Sequence, residues 1–267
     1  MSELFQEQHE TYLQINEWEK YDVMAGFSTR KAGVSKPPYN TLNVGIHVDD
    51  NKQDVLQNRQ YIASHLKKPL DQWKCLNQVH STRVLNLAKE ETSKHQFFHE
   101  NPSEDADGMI TNHPEHLLVT YYADCVPLYF IAPKQKWIGL AHAGWRGTVS
   151  GIGREMVNEL VKQGVDSSQI QVAIGPCISQ PYYEVDDHVI NQIPQEYHTS
   201  ILTPSQNENR YLLDLKELNF IYLQEAGILK EHVSISQYCT YRDQELFYSF
   251  RRDHGLTGRM MAFISLK

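Results

Sequence analysis

Apolar residues follow two spacings along the chain. Three short runs near its middle, 117–122, 128–132 and 137–141, are rich in β-branched and aromatic side chains and are separated by turn-prone segments such as Pro133-Lys134-Gln135-Lys136. They predict three adjacent strands of one sheet. On a period of two, Ile138, Leu140 and His142 share a face, so His142 extends a buried row. Cys125 falls in register with Val119, Tyr121 and Ala123, where a plain core cysteine is the ordinary reading. The neighbouring Asp124 argues against that reading, because two polar groups at the end of a buried row are costly unless used.

Helical spacing predicts a helix from a cap at 49–51 to Leu66, with Val55, Ile62 and Leu66 on its apolar stripe and Arg59 in the middle of it. That guanidinium either snorkels outward or meets an anion inside. A second helix is predicted from a Thr148 cap to Gly164, and a third over 214–226. Further strands are expected from Trp73 to near Gln78 or His80, from Gly108, and at 170–174, 233–235 and 246–249. The stretch 26–50 reads as a long packed loop carrying Arg30, Asn43 and His47, and 88–104 as a polar excursion loop. The pattern over 185–193 is ambiguous. Mixed strands and helices without a repeat or a linker give an α+β class, and one catalytic domain over 1–267 with an N-terminal extension over 1–20.

Composition narrows the class. A net charge of -8 over 267 residues leaves no basic footprint for nucleic acid. No apolar run reaches the length that spans a bilayer, and the polar start of the chain lacks a secretory pattern. Cys75, Cys125, Cys177 and Cys239 form no Cys-x-x-Cys pair, which favours reduced thiols in a cytoplasmic protein. A monomer is expected.

The candidate chemistry is carried by His80, Cys125 and His142. Two imidazoles and a thiolate suit zinc and leave a fourth position open, the arrangement of catalytic rather than structural sites. The long spacing makes this a weak motif by itself. Arg146, beside the glycine-flanked start of a helix, marks either an anion site or a simple packing turn. Arg251, Arg252 and Arg259 are either solvated or wall an anionic pocket. The Asp105-Ala106-Asp107-Gly108 segment reads as a turn and lacks the other ligands of a calcium loop.

The ordered motifs GFSTRKAGVS, PYNTLNVGIHVDD followed by Asn58-Arg59, NQVHS, DADGMIT, ADCVPLYF, AHAGWRGT, IGPCI and YSFRRDHGLTGRM run from Gly26 to near the C-terminus. The chain resembles the YlmD/YfiH-type purine nucleoside phosphorylases, formerly called multicopper polyphenol oxidases or laccases. Ala32 and Asp49 stand where that family usually has glycine. The resemblance implies a layered α/β domain with mixed sheets, similar to the YfiH and cytotoxic necrotizing factor-like fold. It implies His80, Cys125 and His142 as zinc ligands, with copper as the alternative metal. It also implies phosphorolysis of adenosine, inosine and S-methyl-5'-thioadenosine to base and ribose 1-phosphate, with adenosine deamination at the same site. In that scheme Arg59 and Arg146 hold phosphate, while Asn43, His47 and Gln78 orient the nucleoside. Rival readings are a copper-dependent phenol oxidase, a hydrolase or deamidase using Cys125 as a nucleophile with a histidine, and a zinc-stabilised interaction module. Against the oxidase, the chain has no His-x-His pair to build a trinuclear copper centre.

Overall fold

A computed structural model describes residues 3–88 and 104–267. In chain order the strands of its first half are β1 (Gln6–His9), β2 (Tyr12–Gln14), β3 (Val23–Ser28), β4 (Trp73–Cys75), β5 (Val84–Asn86), β6 (Gly108–Thr111), β7 (Leu117–Tyr122), β8 (Val126–Ala132) and β9 (Trp137–Ala143). The second half adds β10 (Gln171–Ile174), β11 (Glu184–Asp186), β12 (Leu202–Pro204), β13 (Arg210–Leu213), β14 (Val233–Ile235) and β15 (Met260–Leu266). The helices are α1 (Lys52–Leu66), α2 (Trp145–Val149), α3 (Ile152–Val161), α4 (Asp187–Ile190), α5 (His198–Ile201) and α6 (Leu215–Glu225).

Two mixed six-stranded sheets form, in the orders β1-β2-β3-β15-β7-β4 and β14-β10-β8-β9-β6-β5, beside a small antiparallel sheet β11-β13-β12. Every residue of β7, β8, β9 and β15 is buried. Apart from Thr120, His142 and Ser265 these runs are apolar, because both of their faces are covered. Leu118, Tyr122, Met260 and Ala262 of the first sheet pack against Tyr129, Ile131, Ile138 and Leu140 of the second. On the far side of the first sheet, Val119, Tyr121 and Phe263 meet Ile62 and Leu66 of α1. On the far side of the second, Leu128, Phe130 and Ala141 meet Met156 and Leu160 of α3 and Leu218 and Leu223 of α6. The result is four layers, helix, sheet, sheet, helices, each pair separated by its own apolar core.

Several expectations are corrected by this arrangement. The run 117–122 does not lie beside the next two strands: β7 pairs with β15 and β4 in the first sheet, whereas β8 and β9 pair in the second. Residues 23–28, partly read as loop, form β3, because β2 and β15 flank it and take up its backbone groups. The strand beginning at Trp73 stops at Cys75. The helix expected from a Thr148 cap starts earlier, with Gly144 as its N-cap, and Gly151 at φ 90° divides it into α2 and α3. Thr148 instead accepts a 3.0 Å hydrogen bond from the Asn219 side chain. Residues 246–249 are not a strand, although Phe247 and Tyr248 are buried in the core between the sheets.

Other features sit where the pattern placed them. Asn51 caps α1 by accepting from the N–H groups of Gln53 and Asp54. Val55, Arg59, Ile62 and Leu66 are all buried. Asp214 caps α6 by accepting from the Glu217 N–H. The segment 1–20 supplies β1 and β2 and buries Phe5, Leu13, Ile15 and Trp18. Ala32 adopts φ 62°, the left-handed conformation for which glycine is the usual choice. Most of the expected excursion loop, 89–103, lies outside the described residues. Among the described residues no helix is long and apolar enough to cross a membrane.

Candidate active site

The chain passes from the first sheet to the second at Ala123-Asp124-Cys125, between β7 and β8. Asp124 has φ 87°, a conformation that non-glycine residues rarely adopt. It is held there by its buried carboxylate, which accepts from Thr240 Oγ1 at 2.6 Å, Ser249 Oγ at 3.0 Å and the Arg251 N–H at 2.7 Å. Burial pushes this carboxyl above its ordinary pKa despite the three donors. The turn resets the two-residue alternation. Cys125 therefore packs against the core between the sheets, while Val119 and Tyr121 face the α1 side.

His142, at the end of β9, points into the same core and is buried. Its Nδ1 is hydrogen-bonded to Asp107 Oδ1 at 2.8 Å. The other carboxylate oxygen of Asp107 accepts from the Ser81 N–H at 2.6 Å, Ser81 Oγ at 2.9 Å and the Val79 N–H at 3.2 Å. One carboxylate thus orients His142 and grips the chain on both sides of His80, which is itself strained at φ 60°. Burial would raise the Asp107 pKa, but the bonds from His142 and Ser81 outweigh it and hold the group low. Burial likewise opposes a charge on His142, yet Cys125 and Asp107 together lift its pKa to about 9 in the metal-free chain. The His80 and His142 rings are 4.8 Å apart between centroids. The ligand atoms of His80, Cys125 and His142 all lie within 4.8 Å of one another.

These three residues line a cavity of about 780 Å³ together with Arg59, His47 and Gln78. Arg59 is fully buried, donates from Nε to the Val44 carbonyl at 2.8 Å, and lies 4.7 Å over the Tyr121 ring. His47 is pushed down to about 4, first by burial and then by Arg259 and Arg59. Gln78 exchanges two bonds with the Tyr121 backbone, at 2.9 and 2.7 Å, and so continues the pairing of β4 beyond its end. Asn43 is not among the lining residues. Its side chain is buried and bonds the Asp50 carboxylate, the Gly45 N–H and the Arg259 N–H, which makes it a tie for the loop behind the cavity. Arg146 is exposed, lies 4.4 Å over the Trp145 ring and does not line the cavity either.

A family model described as multi-copper polyphenol oxidoreductase laccase matches residues 24–267. The chain belongs to this laccase-like YfiH/YlmD family. Purine nucleoside phosphorylase YlmD of Bacillus subtilis (strain 168) is 41% identical over 262 residues, covering 96% of this chain and 94% of that protein. Its namesake in Geobacillus stearothermophilus is 38% identical, covering 99% and 97%. Among solved structures, the Bacillus licheniformis hypothetical protein YfiH superposes with a TM-score of 0.92 at 39% identity, covering 98% of this chain and 99% of that one.

Within this laccase-like family member, the donor set tests well against a metal. Two nitrogens and one sulfur converge, and Asp107 holds Nδ1 of His142 so that Nε2 is the atom left to ligate. Such a set suits zinc and is also compatible with copper. Two residues at the site escaped sequence reasoning: Asp107, buried behind His142, and Phe250, which lines the cavity; Arg259, which the sequence left as either solvated or walling an anionic pocket, lines it as well. Asp107 carried a signal, since a second aspartate beside the Asp-Gly pair exceeds what a turn needs, but only the fold shows which of Asp105 and Asp107 is buried beneath a histidine. Phe250 and Arg259 approach the site from the C-terminal segment, where the local pattern offered a cluster of arginines but could not say which of them reaches a pocket.

Proposed function

We propose that this chain is a zinc-dependent purine nucleoside phosphorylase acting on adenosine, inosine and S-methyl-5'-thioadenosine, with adenosine deamination at the same site. The observation that carries the reading is the meeting, in one cavity, of a three-donor metal cradle and a wall of guanidinium groups. The names of the two relatives support the nucleoside assignment.

A zinc ion bound by His80, Cys125 and His142 would supply Lewis acidity and activation of water. Arg59 binds the phosphate dianion through a guanidinium that is already desolvated and fixed by Val44 and Tyr121, so no reorganisation is needed when the anion arrives. A phosphate oxygen then forms the bond to the sugar C1′ as the glycosidic C–N bond breaks, and the purine departs with the electron pair and takes up a proton. His47, neutral at physiological pH, is available as a hydrogen-bond partner for the nucleoside. Phe250, 54% exposed at the cavity, offers a ring face on which a purine can stack. In deamination the oxygen of water bonds to the amino-bearing ring carbon and ammonia leaves. Phosphate takes no part in that reaction.

The test is product chromatography after incubating metal-defined protein with adenosine, with and without phosphate, beside His80→Ala and Cys125→Ala. Adenine and ribose 1-phosphate are expected only with phosphate, and in neither variant. Turnover that survives chelation would instead favour the cysteine-nucleophile chemistry. A phenol oxidase remains the reading named by the family description, and copper-loaded protein without oxidation of phenols would remove it.

A further inference from the structure

Arg259 stands immediately before the central strand β15, whose Met260 pairs with Tyr122. Its backbone is clamped on both sides by the Asn43 loop: the Arg259 N–H donates to Asn43 Oδ1 at 2.8 Å, and the Arg259 carbonyl accepts from the Val44 N–H at 3.1 Å. From that fixed origin the side chain runs across Gly45. A Cβ at Gly45 would lie 2.5 Å from Cγ and 2.8 Å from Cβ of Arg259, so glycine there is what gives the arginine its path into the cavity. The guanidinium uses only Nη1, which donates to the carbonyls of Thr257 at 2.8 Å and Gly258 at 3.1 Å. Among the described residues, Nε and Nη2 have no hydrogen-bond partner and no carboxylate pairs with this arginine. Burial pulls its pKa below the ordinary value, against weaker support from Cys125 and Asp124. A partly desolvated cation with two donors to spare, lining the cavity that holds His80, Cys125 and His142, calls for an anion.

We propose that Arg259 is the anion anchor of this cavity and, resting on the phosphorylase reading, that inorganic phosphate is the anion it positions against the sugar. Arg146, which the sequence had suggested for this task, lies outside the cavity. Gly45 is the positioning residue that keeps the anchor in place. Arg59 of α1, which lines the same cavity, then supplies the second guanidinium, and a tetrahedral dianion has acceptor oxygens enough for both.

The experiment measures the KM for phosphate and the KM for nucleoside separately in the zinc-loaded wild type, Arg259→Gln, Arg259→Lys and Gly45→Ala. Arg259→Gln is expected to raise the KM for phosphate at least tenfold while leaving the KM for nucleoside within twofold. Gly45→Ala should reproduce that split by displacing the arginine, and Arg259→Lys should fall between. Equal movement of both constants, or movement of neither, would overturn the proposal. Calorimetric titration of the same four proteins with inorganic phosphate alone separates it from the phosphorylase reading. If the wild type binds phosphate and Arg259→Gln does not, the anchor stands even without nucleoside turnover. If the two bind equally, or the wild type binds none, the anchor is refuted.

Discussion

Asp107 and His142 are bonded twice: through Nδ1 and Oδ1 at 2.8 Å, and through the His142 N–H and the Asp107 carbonyl, also at 2.8 Å. The pair therefore fixes the imidazole in tautomer, tilt and height. Replacing Asp107 with Asn keeps the shape but leaves one acceptor oxygen where two serve His142 on one side and the Ser81 and Val79 N–H groups on the other, so an amide NH2 faces a donor at one of them. Metal affinity is expected to fall by roughly 10–100-fold. Competition with a chromophoric chelator measures this, and an unchanged affinity would show that the second bond alone orients the ligand.

Gly144 lies where a side chain would collide with two of the three donors. A Cβ there would be 2.4 Å from His80 Nδ1 and 3.2 Å from Cys125 Sγ. Its backbone, at φ -69°, is one that alanine adopts freely. Gly144→Ala is thus expected to leave the fold intact and to displace His80. Zinc content by elemental analysis should drop well below one per chain, with an unaltered circular dichroism spectrum. Full zinc occupancy in the variant would refute the crowding argument.

Two imidazoles with depressed pKa values link stability to pH. His47 and His116 are each pushed down to about 4, His47 by burial and then Arg259 and Arg59, His116 by burial and then Lys74 and His113. Both groups have an ordinary value of 6.5. The unfolded chain therefore binds more protons between those limits, and stability that is complete above about 6.5 is lost as pH falls toward 4. Denaturant melts across that window should show it. His116→Gln, which can still bond Thr111 Oγ1, should remove close to one proton from the slope. An unaltered slope in that variant would assign the uptake elsewhere.

What the sequence revealed, and what it hid, divides along the reach of local pattern. The α1 and α6 boundaries followed from Asn51 and Asp214, because an N-cap and an apolar stripe are properties of a dozen neighbouring residues. Membership of a sheet is not: 117–122 and 126–132 look alike, and only the turn at Asp124, paid for in hydrogen bonds from Thr240, Ser249 and Arg251, sends them to different sheets. The C-terminal strand β15 is central to the first sheet but is not among the strands the pattern predicts. His80, Cys125 and His142 are brought together as the motifs suggested. By contrast, Asn43 and Arg146 do not line the cavity, and Arg259 reaches it because the Asn43 loop, more than two hundred residues away in sequence, wraps around its backbone.

Arg59 allows phosphorolysis and deamination to be separated. Its guanidinium is fully buried in the cavity wall, and phosphate is a reactant in only one of the two proposed reactions. Arg59→Met removes the charge and keeps most of the volume, while leaving the Val44 carbonyl without its donor. The lost hydrogen bond should cost about 1–3 kcal/mol of stability. A charge-assisted contact to phosphate of similar size corresponds to a loss of roughly 10–100-fold in kcat/KM for phosphorolysis. Deamination should fall by much less, since the water that it consumes carries no charge to hold. Following adenine against inosine plus hypoxanthine in the same reaction mixtures gives both rates at once. Equal losses would mean that Arg59 shapes the cavity as a whole, and the division of labour between the guanidinium wall and the metal cradle would have to be abandoned.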